Sequence, residues 1–103
     1  MNYQSETVIL HETFIDEMID SCFTVDKYVK VRDKGSYWAE LRYRKYTFHN
    51  QQGTFTKQKN VLQLKRIFHK LIAKYNAFEH EGYDYYRHNG QWYKYKIRKN
   101  ING

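Results

Sequence analysis

The sequence predicts a small α+β domain in which an antiparallel sheet packs on one long amphipathic helix, in the order α-β-β-α-β-β. Three observations carry this reading. Val61, Leu64, Phe68, Leu71, Tyr75 and Phe78 step by three and four, one apolar stripe along about five helical turns. Asn89-Gly90 sits between two aromatic, alternating runs, the strongest short-range signal for a hairpin. Alternation over residues 37–48 describes a strand with Tyr37, Ala39, Leu41 and Tyr43 on one face and Trp38, Glu40, Arg42, Arg44, Tyr46 and Phe48 on the other. A helix laid on an antiparallel sheet is the economical way to bury these surfaces. At 103 residues the chain makes one domain and buries about two-thirds of the surface its unfolded form exposes.

The elements follow in order. Residues 12–23 read as a helix, with Ile15, Met18, Ile19 and Cys22 as its buried stripe. Glu12, Asp16 and Asp20 fall four apart on another face, which is uniformly acidic. Thr7 to Leu10 is compatible with a short strand. Residues 27–32 form a strand, and Asp33-Lys34-Gly35-Ser36 a turn. The strand over residues 37–48 follows, then a polar loop from His49 to Gly53. Thr56 or Asn60 supplies the N-cap of the long helix. A two-residue turn at Asn89-Gly90 pairs His88 with Gln91, Arg87 with Trp92, Tyr86 with Tyr93 and Tyr85 with Lys94. One face of that hairpin then holds Tyr86, Tyr93, Tyr95 and Ile97. The other holds Tyr83, Tyr85, Arg87, Trp92, Lys94, Lys96 and Arg98.

Composition bounds the function. A single cysteine, Cys22, cannot form an internal disulfide, so a secreted disulfide scaffold is excluded and a cytoplasmic location is the default. No apolar run approaches the twenty or so residues of a membrane span, and no basic-then-apolar leader opens the chain. Proline is absent, which excludes proline-rich linkers. The net charge of +7 is unevenly spread. Residues 1–26 hold six acids and no Lys or Arg; residues 27–103 hold eighteen bases against five acids. An acidic N-terminal segment thus precedes a basic α+β core within one domain. Such asymmetry points to a polyanionic partner.

The chemistry of the two strand faces agrees. Trp38, Arg42, Arg44 and Tyr46 lie on one, and Tyr85, Arg87, Trp92, Lys94, Lys96 and Arg98 on the other. If the helix covers one side of the sheet, these residues form a mixed surface on the opposite side. Cations neutralise phosphates and release counterions, and aromatic rings stack on bases. Lysine and aromatic residues are also ordinary strand residues that stabilise hairpins and protect edges. Lys57 and Lys59 near the helix start oppose its dipole. With Thr56 they suit a phosphate site; as plain solvated lysines, the favoured reading, they cost a few tenths of a kcal/mol. Glu12, Asp16 and Asp20 form either a solvated face or a protein-docking surface.

No catalytic or metal motif stands out. The five histidines lack zinc spacing, and no Gly-rich phosphate loop is present. Neither a metal nor a cofactor is expected. His88 beside Arg87 and Tyr86 is the one cluster that suits a metal-independent ribonuclease, although a turn-flanking histidine is the commoner meaning.

Two family resemblances touch part of the chain. Trp38-Ala39-Glu40-Leu41-Arg42 and Gly53-Thr54-Phe55-Thr56, ahead of an amphipathic helix, resemble the AP2/ERF DNA-binding domain over about a third of the chain. That resemblance implies a small sheet placing Trp38, Arg42 and Arg44 at DNA. A third matching strand is missing, and Ala73 and Tyr75 fall too far along the helix, so the family is not adopted. The basic final hairpin is similar to RelE-like toxin ribonucleases, without their paired leading helices. The resulting expectation is a nucleic-acid-binding protein using a basic, aromatic sheet face. Its small size, lack of proline and richness in Lys, Tyr and Asn associate it with phage or mobile elements. The alternative is an inhibitor of the anti-CRISPR type, docking on guide RNA or on a cleft in a host nucleoprotein or nuclease. A ribonuclease toxin is the third.

Overall fold

The computed structural model describes residues 5–24, 27–32 and 37–97. Its elements are β1 (Ser5–Val8), α1 (Glu12–Ser21), β2 (Val29–Arg32), β3 (Trp38–Arg42), β4 (Lys45–Asn50), β5 (Gly53–Gln58), α2 (Val61–Tyr75), β6 (Ala77–His80), β7 (Tyr83–His88) and β8 (Gln91–Lys96). The strands form one eight-stranded antiparallel sheet in the order β1-β8-β7-β6-β2-β3-β4-β5. This is the α+β class that the sequence indicates, with more strands than its pattern reveals. The expected turn at residues 33–36, and Arg98, lie outside the described residues.

Two meanders make the sheet. Strands β2 to β5 pair in succession, each antiparallel to the next, and β6 to β8 do the same. α2 carries the chain from the outer strand β5 back over the sheet to β6. There β6 pairs with β2 through Val29↔His80 and Lys30↔Glu79, so the two meanders form one sheet. His80 is buried at this seam, and its Nδ1 lies 2.9 Å from the Tyr28 carbonyl. The carbonyl only accepts, so Nδ1 carries the proton. β1 closes the far edge against β8, from Ser5↔Tyr95 to Val8↔Trp92.

Alternation selects which side is buried. Val29, Val31, Ala39, Leu41, Phe78, Tyr85 and Trp92 all point to the face that the helices cover. α1 contributes Ile15, Met18 and Ile19, and Cys22 at its C-cap completes the expected stripe; α2 contributes Leu64, Phe68 and Ile72. Phe68 sits edge-on to Phe78, with ring centroids 5.2 Å apart. α2 ends three residues before the expected Phe78, at Tyr75. Asn76 adopts the left-handed conformation (φ 54°), and its N–H closes the helix on the Ile72 carbonyl. Asparagine tolerates that conformation better than most residues. Phe78 keeps its core role but belongs to β6.

The other end of α2 is closed by a reciprocal capping box. The Asn60 side chain accepts from the Gln63 N–H, and the Gln63 side chain accepts from the Asn60 N–H, both at 2.9 Å. Asn60, not Thr56, is therefore the N-cap. The expected loop after His49 is a tight turn, because Asn50 Oδ1 accepts from the Gln52 N–H and sends the chain back as β5.

Phe68→Ala is expected to cost about 3–5 kcal/mol, the usual range for emptying a buried phenylalanine site. Asn60→Ala is expected to cost about 1 kcal/mol, the worth of one N-cap. Urea unfolding of both variants, followed by circular dichroism, checks the ranking.

Candidate nucleic-acid interface

The structure separates residues that the sequence places together. Residues 37–48 are not one strand. A two-residue turn at Tyr43-Arg44 pairs Arg42 with Lys45, and Arg44 takes a positive φ of 53°. The turn reverses the facing pattern beyond it. Trp38, Glu40 and Arg42 point away from the helices, as expected, but so do Lys45, Thr47 and His49. Tyr46 and Phe48 point to the helical side, where Tyr46 is half-buried and burial pushes its phenol pKa up. No Gly or Asn marks the turn, so alternation reads through it.

The β7–β8 hairpin departs from expectation in its facing, not in its pairing. Its register is the expected one at every pair. Its faces are the reverse of expectation. Tyr85 and Trp92 are only 7% and 8% exposed, and both lie against Phe78, at 4.6 and 5.4 Å between ring centroids. They belong to the core beneath the helices, and burial raises the Tyr85 phenol. Their neighbours Arg87, Lys94 and Lys96 therefore sit on the rim of the helical side, opposite to Trp38 and Arg42. Arg87 is already committed: its guanidinium donates twice to Asn76 Oδ1, its N–H donates to the Asn76 carbonyl, and it lies over the Trp92 ring. It ties the end of α2 to β7. Lys94 lies over Tyr83 at 4.6 Å.

The helix-free face carries the tyrosines instead. Tyr86 stacks on Tyr93 and Tyr95, and the Tyr86 and Tyr95 hydroxyls share a 2.8 Å hydrogen bond that raises the Tyr86 phenol. Trp38 stacks on His49 with rings nearly parallel, and Lys30 lies over the indole at 5.3 Å. The row between these groups runs Asp84, Glu79, Lys30, Glu40 across adjacent strands. Arg42 bonds Glu40 at 2.9 Å and covers the Tyr28 ring. Charges of both signs share this face, three acids among them, so it is not the uniformly basic surface expected.

The uniform charge lies on α2. Leu62, Arg66, Lys70 and Lys74 recur every four residues along its exposed side, and α2 contains no acid. Like charges at this spacing cost a few tenths of a kcal/mol per pair. Among the described residues none of the three cations has a carboxylate partner. Lys65, on the flank of α2, lies 4.0 and 3.8 Å from Asp16 and Asp20 of α1. The acidic row Glu12, Asp16, Asp20 thus exists and lies beside the basic helix. The helical period of these cations was visible in the sequence, but strand aromatics drew the reading to the sheet.

The proposed phosphate residues fall on different elements. Thr56 and Lys57 are in β5, where Thr56 Oγ1 meets Thr47 Oγ1 at 2.9 Å and Lys57 lies over Phe48. Lys59 immediately precedes the N-cap. With Arg44, Phe23, Asn60 and Gln63 it lines a groove of about 460 Å³. The His88 cluster is not assembled. Arg87 points to the opposite side of β7 and holds Asn76, while the Tyr86 hydroxyl holds Tyr95. Among the described residues no group of three or more His, Cys, Asp or Glu could hold a metal, and no helix is long and apolar enough to cross a membrane.

Cys22 is fully buried, its Sγ 3.4 Å from the Met18 carbonyl, and burial raises its thiol pKa to about 12. The neutral thiol is thus favoured in the fold. Its contribution is complete below the ordinary value of 9.0 and is lost as pH rises towards 12. Native protein at pH 8 is expected to leave Cys22 unmodified by a disulfide-exchange reagent, with full reaction in urea. Rapid modification of folded protein contradicts this placement.

Compared with protein-family models, curated proteins and solved structures, the chain matches none.

Proposed function

We propose that this chain is a small nucleic-acid-binding protein whose phosphate contacts come from the outer side of α2. The supporting observation is the stripe of Arg66, Lys70 and Lys74, kept free of acids despite its self-repulsion. A polyanion lying along α2 turns that repulsion into attraction by releasing counterions. The basic rim residues Lys94 and Lys96 lie on the same side of the sheet. Trp38 and Arg42 lie on the other side, where His49, Lys30, Glu40 and Tyr28 already engage them. The sheet-face interface of the sequence reading is thereby replaced with a helical one, while the partner class is kept.

A second reading has its own observation. The acidic residues of α1 lie against the basic helix, so the helical layer presents both signs side by side. That arrangement suits an inhibitor docking on a nucleoprotein or nuclease, where nucleic acid and a basic protein channel adjoin.

Fluorescence anisotropy with labelled single- and double-stranded DNA and RNA, at about 50 and 200 mM salt, separates the two. The first reading expects salt-sensitive binding, with Arg66→Ala, Lys70→Ala and Lys74→Ala each lowering the salt slope by about one. Trp38→Ala is expected to leave that slope unchanged. Weak binding to naked nucleic acid, unaffected by the α2 substitutions, removes the first reading in favour of a protein target.

A further inference from the structure

We propose that β5 is the seat of a symmetric dimer, pairing antiparallel with β5 of a second copy of this chain. β5 is the outermost strand of the sheet, bonded only to β4 among the described residues. Every second residue along it therefore directs its N–H and C=O outward. Five of its six residues are exposed, Phe55 at 39%.

Edges of this kind are ordinarily protected by shortness, charged side chains such as lysine, proline, bulges or a covering element. β5 has six residues, Gly53-Thr54-Phe55-Thr56-Lys57-Gln58, with no proline and one charge. It pairs with β4 in unbroken register from Asn50↔Gly53 to Lys45↔Gln58, so no bulge bends it away. The opposite edge, β1, has four residues and carries Glu6. Strand-forming Thr and Phe fill the centre of β5 where a protected edge places charges.

The strand is complementary to itself. Antiparallel pairing centred on Thr56 sets Thr56 opposite its own copy, Thr54 opposite Gln58, and Phe55 opposite Lys57. The single cation of each strand then meets an aromatic ring, on the side where Lys57 already lies over Phe48 at 5.8 Å. No like charges face each other across the seam. A foreign strand finds no such match specified, whereas a second copy always brings it.

Such a dimer has its twofold axis normal to the sheet, so both helical layers lie on one side. β2, beneath α2, is three strands in from β5. Seven strand steps at about 4.8 Å then separate the two β2 strands by roughly 34 Å, close to one turn of duplex DNA at about 34–36 Å. That correspondence rests on the nucleic-acid reading; the dimer itself does not.

Sedimentation velocity without nucleic acid tests it, with folding checked by circular dichroism. The wild-type chain is expected at twice its 12.7 kDa mass. Thr56→Lys and Thr56→Glu, each opposing its own charge at the centre of the seam, are expected to weaken dimerisation about tenfold or more, and an equal mixture to restore it. Thr56 is exposed and bonds only Thr47, so both variants keep the core intact. Phe55→Lys, which faces the partner's Lys57, is a second disruptor. A wild-type chain still monomeric at about 0.3 mM, far above the micromolar range of ordinary specific contacts, overturns the proposal. So does a dimer indifferent to all three substitutions. Neither result bears on nucleic-acid binding, which is read separately.

Discussion

The structure depends on a seam only two residue pairs long. β2 and β6 meet through Val29↔His80 and Lys30↔Glu79, and these pairs join the four-stranded meander to the three-stranded one. Backbone pairing this short is a weak join. What holds it is the helix laid across it: Leu64, Phe68 and Ile72 cover the strands on both sides of the seam. His80, bonded to the Tyr28 carbonyl and 3.6 Å from Glu81, and Lys27, 3.0 Å from Glu81, close the end of the seam. The ion pair is largely exposed and adds little. Buried apolar area over the join carries most of the load.

That arrangement assigns the two sides of α2 different work. Its inner side must be apolar along its whole length to bridge both meanders. Its outer side is free of structural duty, and there the sequence places Arg66, Lys70 and Lys74, none with a carboxylate partner among the described residues, although Lys74 lies over the Tyr75 ring. Lys65, on the flank, links α1 to α2. The rim cations are partly absorbed: Arg87 into the α2 cap, Lys94 and Lys57 over aromatic rings. Basic charge on this chain therefore divides into residues that hold the fold and residues that remain available, a distinction that a net charge of +7 conceals.

Local signals in the sequence were sufficient for α1, for most of α2 and for the β7–β8 register. Ile15, Met18, Ile19 and Cys22 are buried as their spacing requires, and Asn89-Gly90 takes positive φ at both positions, as the tight hairpin demands. Three features were not legible. The Tyr43-Arg44 turn has no residue suited to positive φ, so a period of two runs through it. Glu81-Gly82, a turn of the same kind as Asn89-Gly90, was hidden because Phe78 continued the helical stripe beyond Asn76. Most consequentially, the faces of the final hairpin are both aromatic. Periodicity tells that Tyr85 and Trp92 share a side, but not that the helices cover it. That choice is made by tertiary packing, with the open face left to tyrosines whose hydroxyls reach water or one another. The predicted interface was divided between two surfaces by this packing and by the Tyr43-Arg44 turn, which sends Tyr46 to the helical side.

The pairing of β1 with β8 also governs the order of events as the chain is made. Ser5 emerges before its partner Tyr95, which lies about ninety residues further along the chain. Contacts so distant in sequence form slowly, because the intervening loop must first be gathered. β1 is thus made well before the strand it pairs with, and its pairing with β8 closes the widest sequence separation among the described strand pairs. Until then it is a short polar strand carrying Glu6, with little surface that invites a wrong partner. Its meagre apolar content, unremarkable in the finished sheet, suits a segment that has to wait.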